Sequence, residues 1–224
     1  MSMKDKIILE LRTPKTAEET PESMAQVFAA LYSGGHIPHW KRLWIKVHTL
    51  AFEIASFNQT IHFYTVVPEI FESFLESQLT SQYPKIVITK VPEYLQNIIK
   101  SKHLAIGNLR LAFPYYYPIK TFKDFKEIDP LSSIIGVISK LGPEEKALIQ
   151  IIIEPPHFNW QEGVQRMLSH GIPDPTPRAP EKTKPFPQAR LIEDKINQTG
   201  FRCYIRLMIG AENKSKAYSL LYNL

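Results

Sequence analysis

The chain has 224 residues, of which 44 % are hydrophobic and 22 % are charged, and this ordinary globular composition excludes a wholly disordered protein. Lys and Arg outnumber Asp and Glu by a net charge of +5, which permits a nucleic acid or an acidic membrane surface as partner without requiring either. Residues 1–11 lack the apolar core of a signal peptide, and no window approaches the roughly 18 apolar residues that span a bilayer. We therefore expect a folded protein with no transmembrane segment.

The chain contains a single cysteine, Cys203, which cannot form an internal disulfide and cannot build a zinc site by itself. This usage favours a reducing, cytoplasmic compartment. Cys203 takes an inward position in an alternating stretch, so we expect a buried and unreactive thiol.

The first hundred residues alternate between two hydrophobic periods. Apolar residues at every second position predict strands, and apolar residues at every third or fourth position predict helices. Pro21 and Pro68 mark the starts of the two predicted helices, and Asn58-Gln59 supplies a turn between the second and third strands. The predicted order is strand 7–11, helix 21–33, strand 50–55, strand 61–67, helix 68–82 and strand 86–91.

This β-α-β-β-α-β order is that of a ferredoxin-like module, in which both helices cover one face of an antiparallel sheet. We assign residues 1–100 to this first module. The opposite face of its sheet is then left for a partner, a second domain or water.

Residues 101–224 predict a second ferredoxin-like module that is incomplete at its C-terminus. A long strand over 104–113 and a helix opened by Asp129-Pro130 precede a nearly continuous apolar run at 144–154, which predicts a central strand. A proline-rich excursion follows at 155–187 and contains one short amphipathic piece. The remaining predicted elements are helix 191–196, strand 201–209 and helix 213–224. The predicted fold class is therefore α+β, with two tandem ferredoxin-like modules and antiparallel sheets.

No motif for catalysis or for a cofactor occurs in the sequence. It contains no G-x-x-x-x-G-K-[ST] loop, no G-x-G-x-x-G loop, no serine nucleophile elbow and no H-E-x-x-H pair. His36 and His39 lie close together but have no third ligand nearby, and the aromatic residues around them favour a lid packed on the sheet over a metal site. We therefore expect no catalytic residue, no cofactor and no metal.

One strand carries the candidate nucleic-acid-binding residues. Arg202, Tyr204 and Arg206 occupy alternate positions of the last predicted strand, so they share one face, with two cations around an aromatic ring. On an open sheet such a row stacks a base and pairs phosphates. A solvated strand face, or an interface with the first module, produces the same pattern.

Several short stretches of the sequence together resemble the region that precedes the ATPase core in VirB4/TraG-like type IV secretion (conjugation) proteins, especially those of candidate-phyla bacteria. They are Thr20-Pro21-Glu22-Ser23-Met24 with Phe28-Ala29-Ala30-Leu31, Ile61-His62-Phe63-Tyr64, Leu75-Glu76-Ser77-Gln78-Leu79 with Tyr83-Pro84, Asp129-Pro130-Leu131, Leu141-Gly142-Pro143-Glu144-Glu145 with Ile149-Gln150-Ile151, and Gly200-Phe201. In that family the motor with its Walker motifs follows this region.

The resemblance implies a non-catalytic docking or assembly domain, because the motor motifs are absent from this chain. Its implied partners are an ATPase motor, subunits of a membrane secretion complex or a second copy of the chain, and its implied place is the cytoplasm or the inner face of the membrane. The alternative is a stand-alone nucleic-acid-binding protein that uses an open sheet face.

Overall fold

The structure is a computed structural model that describes residues 6–14, 20–34, 49–125, 131–156, 159–173, 183–184 and 186–224. It has the α+β composition expected from the sequence. The strands are β1 Lys6–Arg12, β2 Leu50–Phe57, β3 Thr60–Pro68, β4 Val87–Val91, β5 His103–Leu109, β6 Lys146–Glu154, β7 Ile172–Pro173, β8 Thr183–Lys184 and β9 Arg202–Ala211. The helices are α1 Pro21–Gly34, α2 Glu72–Gln82, α3 Leu95–Ile99, α4 Leu131–Ile138, α5 Trp160–His170, α6 Ala189–Ile196 and α7 Lys214–Asn223.

Seven strands form one antiparallel sheet in the order β4-β1-β3-β2-β6-β9-β5, so the expectation of two separate sheets was wrong. The two halves of the chain join where β2 pairs with β6, from Leu50 opposite Ile153 to Ser56 opposite Ala147. Both strands carry buried apolar residues on both faces, among them Ala51 and Leu148. Pairing them buries these residues and removes two exposed sheet edges.

Most helices lie on one face of the sheet, which we call the helical face. α1 and α2 contribute Val27 and Leu75 to a cluster with residues of β1, β2 and β3. α4 and α7 contribute Ile138 and Ala217 to a second cluster with residues of β5, β6 and β9. The sequence had predicted these four helices, since each carries apolar residues at helical spacing.

The opposite face, which we call the open face, is covered in part by α3. The short helix packs Ile98 against the centre of the sheet, together with Tyr94 just before it. The turn after it lies directly on β9, because a Cβ atom added at Gly210 would come within 2.7 Å of the Cβ atom of Ser101. Sequence analysis missed α3, since five residues are too few to display a helical period.

The hairpin between β2 and β3 has the predicted turn. Asn58 and Gln59 both have left-handed backbone conformations, with φ values of 52° and 58°. Two consecutive residues with positive φ form the type I′ turn that matches the twist of antiparallel strands. The tight hairpin fixes the register between the residues that face the candidate site.

Two further expectations about the second half were wrong. β5 ends at Leu109 and not at 113, because the following backbone turns towards α6, where Lys195 Nζ donates a hydrogen bond of 2.8 Å to the carbonyl oxygen of Tyr117. Cys203 is exposed and not buried. β5 pairs with β9 only as far as Ile205, so the strands of the described ranges flank Cys203 on one side alone.

The proline-rich excursion carries the predicted amphipathic helix as α5, which packs against α6. Trp160, Val164, Ile192 and Ile196 form a buried cluster that is distinct from the three clusters of the sheet. The residues of the expected aromatic lid at 35–48, the Asp129-Pro130 helix start and residues 174–182 lie outside the described residues.

Candidate binding face of the sheet

A row of polar residues crosses the open face from one strand to the next. Strand register places one of its members on each of six neighbouring strands, and all of them point to the same side of the sheet. In spatial order the row is Glu10 on β1, Tyr64 on β3, Glu53 on β2, Gln150 on β6, Arg206 on β9 and Asn108 on β5. The first four are buried and the last two are exposed, so the face has a closed half and an accessible half.

Glu53 is a buried ionisable group of the closed half, and burial is the largest influence on its pKa. Its carboxylate accepts a hydrogen bond of 2.6 Å from Gln150 Nε2 and another from the hydroxyl of Tyr94. Burial raises the pKa of Glu53, and these two hydrogen bonds offset the increase only in part. Burial and the nearby carboxylate also raise the pKa of Tyr94. Compared with the unfolded chain, the folded chain therefore favours the protonated form of Glu53.

We expect Glu53→Gln to stabilise the fold at alkaline pH. The raised pKa of Glu53 makes a contribution to stability that is fully present below the unfolded pKa and is lost as pH rises through the folded pKa. Glutamine keeps an oxygen for Gln150 and cannot ionise. The free energy of unfolding, measured in urea, is expected to rise by about 1–3 kcal/mol at pH 8 and to change little at pH 4.

Glu212→Gln is the matched control, since Glu212 is exposed and the substitution should have no effect at either pH. Equal effects of Glu53→Gln at pH 4 and pH 8 would contradict the raised pKa.

Glu10 lies in the same row and behaves in the opposite way. Burial acts to raise its pKa, but hydrogen bonds from His62 Nδ1 at 2.8 Å and Arg12 Nη2 at 2.9 Å outweigh burial, and the pKa is lowered. The His62 ring also stacks on Phe57 and Tyr64, with centroid distances of 4.7 and 5.6 Å. These contacts hold the Glu10 carboxylate in its charged form.

A cleft of about 560 Å³ opens beside Glu10, between the end of β1, the start of β3 and α2. Arg12 and His62 line it, together with apolar residues such as Leu79 and Met24. The Glu10 carboxylate is engaged by both Arg12 and His62. These polar groups of the cleft therefore already pair with one another.

The structure places Arg202, Tyr204 and Arg206 together on the accessible half of the open face. The guanidinium carbon of Arg202 lies 5.2 Å from the centroid of the Tyr204 ring, and Arg202 Nη1 lies 3.5 Å from Glu154 Oε1. Arg206 is exposed and forms no ion pair within the described part of the chain. Their common face agrees with the alternation in the sequence, and their role in nucleic-acid binding stays a prediction.

Residues from two neighbouring strands extend this surface, and sequence analysis missed them. Ile152 on β6 lies opposite Tyr204, and Asn108 on β5 lies opposite Arg206. Ile106 follows on the same side of β5 and is 51 % exposed. Alternation within β5 and β6 indicates which side of each strand these residues occupy. Only the strand pairing shows that β5 and β6 are neighbours of β9. We call the set Ile106, Asn108, Ile152, Arg202, Tyr204 and Arg206 the open patch.

The described residues contain no group of three His, Cys, Asp or Glu side chains that is arranged to hold a metal ion. None of the helices in the described ranges is both long enough and apolar enough to cross a membrane.

Comparison with known families gives one assignment. A family model described as "Domain of unknown function (DUF8128)" matches residues 2–222. The chain belongs to this family. No curated protein matches it. The DUF8128 match spans residues of both halves of the sheet. Its description names no activity, and the resemblance to VirB4/TraG-like proteins therefore stays a prediction.

Proposed function

We propose that this DUF8128 chain is a non-catalytic docking domain that binds another protein through the open patch. The observation that carries the proposal is the asymmetry of the sheet. Four helices cover the helical face, whereas large side chains on the accessible half of the open face are exposed, including Ile106 at 51 % and Tyr204 at 45 %. Exposed aromatic and aliphatic residues next to arginines are typical of the centres of protein interfaces.

The proposal includes a finer description of the fold as two ferredoxin-like halves. In the first half the order β4-β1-β3-β2 is that of a ferredoxin-like sheet, and in the second half β5-β9-β6 is the same order without its fourth strand. The division at residues 100 and 101 falls between α3 and β5. Both halves present their uncovered faces on the same side, which supports a single binding surface.

The state of the two buried carboxylates supports a binding role over a catalytic one. Glu10 is held by His62 and Arg12, and Glu53 is held by Tyr94 and Gln150. A general base needs an ionised group within reach of a substrate. Although Glu10 lines the cleft, its carboxylate is already engaged by two side chains, and Glu53 is buried with its partners.

The resemblance to the region before the ATPase core of VirB4/TraG-like proteins supplies the proposed setting, a type IV secretion-like ATPase system. There the chain places an ATPase motor against subunits of a membrane complex, in the cytoplasm or at the inner face of the membrane. The alternative partner for the open patch is a second copy of the chain.

The test is binding of the purified chain to the VirB4/TraG-like ATPase of the same organism. Tyr204→Glu places a charge at the centre of the open patch, so we expect the dissociation constant in biolayer interferometry to rise at least about tenfold. Ile70→Glu is the control, because Ile70 is 75 % exposed and lies in the first half, outside the patch.

Equal binding by Tyr204→Glu and the parent chain would contradict the role of the open patch. A strictly monomeric chain that binds no ATPase would contradict the docking proposal as a whole.

Nucleic-acid binding is the second candidate, and a specific observation favours it. The contact between Arg202 and Tyr204 presents a cation and a ring together, and Arg206 lies two residues further along the same face. Such an arrangement supports base stacking and phosphate pairing on a single strand.

For this candidate we expect salt-sensitive binding of fluorescent single-stranded DNA or RNA in anisotropy titrations. The double substitution Arg202→Ala and Arg206→Ala is expected to reduce the slope of log K against log salt by about 1.4, which corresponds to two phosphate contacts. Lys85→Ala together with Lys100→Ala removes two exposed cations elsewhere and serves as the control. No change in anisotropy with single- or double-stranded DNA or RNA would contradict nucleic-acid binding.

A further inference from the structure

The outer edge of β5 is a second surface with the properties of a binding site. β5 pairs with β9 over seven residues, from His103 opposite Ala211 to Leu109 opposite Ile205. No strand among the described residues pairs with its other side. An edge of this kind presents unpaired backbone N–H and C=O groups that accept a further strand.

The two edges of the sheet differ in how they are protected. β4, at the opposite edge, has only five residues, carries Lys90 and is followed immediately by Pro92. Short length, an edge lysine and a nearby proline all discourage strand addition. β5 has seven residues, His103–Leu109, with no Lys, Arg, Asp, Glu or Pro among them.

The first half shows what occupies the equivalent position. β1 and β5 are each the first strand of their half, and each pairs on one side with the strand at the centre of that half, β3 or β9. On its other side β1 pairs antiparallel with β4, from Ile8 opposite Val91 to Arg12 opposite Val87. A strand that runs antiparallel to β5 would complete the second half in the same way.

Exposed apolar side chains lie along this edge on both faces of the sheet. Ile106 is 51 % exposed on the open face, Leu109 is 57 % exposed on the helical face, and Leu111 beyond the strand is 56 % exposed. An incoming strand with apolar residues at alternate positions would cover those of one face, and β-branched polar residues between them would pack beside those of the other face.

The charged residues at the ends of β5 favour one kind of added strand over another. Lys102 and Arg110 flank the strand at its two ends, and both are exposed. A second copy of β5 that paired antiparallel about Ile106 would place Lys102 opposite Arg110, and like charges in opposite positions destabilise strand pairs. Acidic residues at the same two positions would instead form ion pairs.

We propose that the β5 edge binds an extended segment of a partner protein, antiparallel to β5, with alternating apolar residues and an acidic residue at each end. This surface shares the β5 residues Ile106 and Asn108 with the open patch. Its hydrogen-bonding groups are those of the backbone edge, so the inference does not depend on the proposed docking function.

The probe is a fluorescent nine-residue peptide, Glu-Val-Thr-Val-Thr-Val-Thr-Val-Glu, and its control is the same peptide with lysine at both ends. We expect the acidic peptide to bind at least about tenfold more tightly than the basic one in anisotropy titrations at low salt. In amide hydrogen exchange, the acidic peptide should protect residues of β5 and leave β4 unchanged.

Lys102→Glu together with Arg110→Glu should reverse this preference, because both ends of the edge then carry negative charge. Circular dichroism of the variant shows whether it folds, and Ile70→Glu, which adds an acid to an exposed position of the first half, should leave peptide binding unaffected. Equal binding of the two peptides, absence of binding, or protection of β4 would each overturn the inference. Protection of β5 that depends on protein concentration without peptide would show a second copy at the edge and would overturn it as well.

Discussion

Trp160→Ala is expected to unfold the α5–α6 segment while the sheet stays intact. Trp160 is 9 % exposed and packs with Val164, Ile192 and Ile196 in a cluster separate from those of the sheet. Its ring also lies against Gly200, where an added Cβ would approach to within 3.0 Å. Truncating a buried tryptophan to alanine costs about 3–5 kcal/mol, and here the loss falls on a small local cluster.

Hydrogen exchange measured by mass spectrometry distinguishes the two regions. Peptides from 160–170 and 189–196 should lose protection in the variant, whereas those from β6 and β9 should keep it. Leu191→Ala is the control on the same helix pair, since Leu191 is 49 % exposed and should change protection little. Equal loss of protection throughout the sheet would show that the cluster is an integral part of the central core.

Leu148→Ala is expected to lower the stability of the whole sheet in a single transition. Leu148 is fully buried on the open face beneath α3, in a cluster with Ala55, Tyr64 and Met208, which come from three other strands. The substitution should reduce the free energy of unfolding by about 2–5 kcal/mol, since it leaves a cavity at the junction of the two halves.

Urea unfolding followed by far-ultraviolet circular dichroism measures the loss. Ile152→Ala serves as the control because Ile152 lies on the same strand and face but is only partly buried. One cooperative transition with a lower midpoint is the expected result. Two separate transitions would mean that the halves unfold independently despite their shared sheet.

The periodicity of the sequence was sufficient to place most of the elements of the sheet. The alternation in 202–209 predicted β9 and the common face of Arg202 and Tyr204, and Pro21 marked the start of α1 within one residue. Such features are local, because the spacing of apolar residues within a single strand or helix already indicates which side of it is buried.

The join between the halves could not be predicted in this way. The pairing of Leu50 with Ile153 depends on contacts between residues about a hundred positions apart, and no local pattern records them. The same limit applies to the candidate site. Ile106 and Asn108 lie in a stretch with the ordinary alternation of a strand. Only the pairing of β5 with β9 places them beside Arg206.

Glu53 shows a different limit of the sequence. It lies between Ala51 and Ala55 on the open face, and a charged residue at such a position is usually solvated. In the structure Tyr94, which precedes the unpredicted helix α3, donates a hydrogen bond to Glu53 and contributes to its burial. The hydrogen bond from Tyr94 acts to lower the pKa of Glu53, against the larger effect of burial, and the sequence alone predicted neither.

The single β2–β6 ladder has a practical consequence. A chain cut between residues 100 and 101 would give two fragments, each with one newly bare strand, Leu50–Phe57 or Lys146–Glu154. Those two strands pair over seven residues in the intact chain. Their exposed edges in the two fragments are therefore complementary. We therefore expect the co-expressed fragments to reassemble without a covalent link.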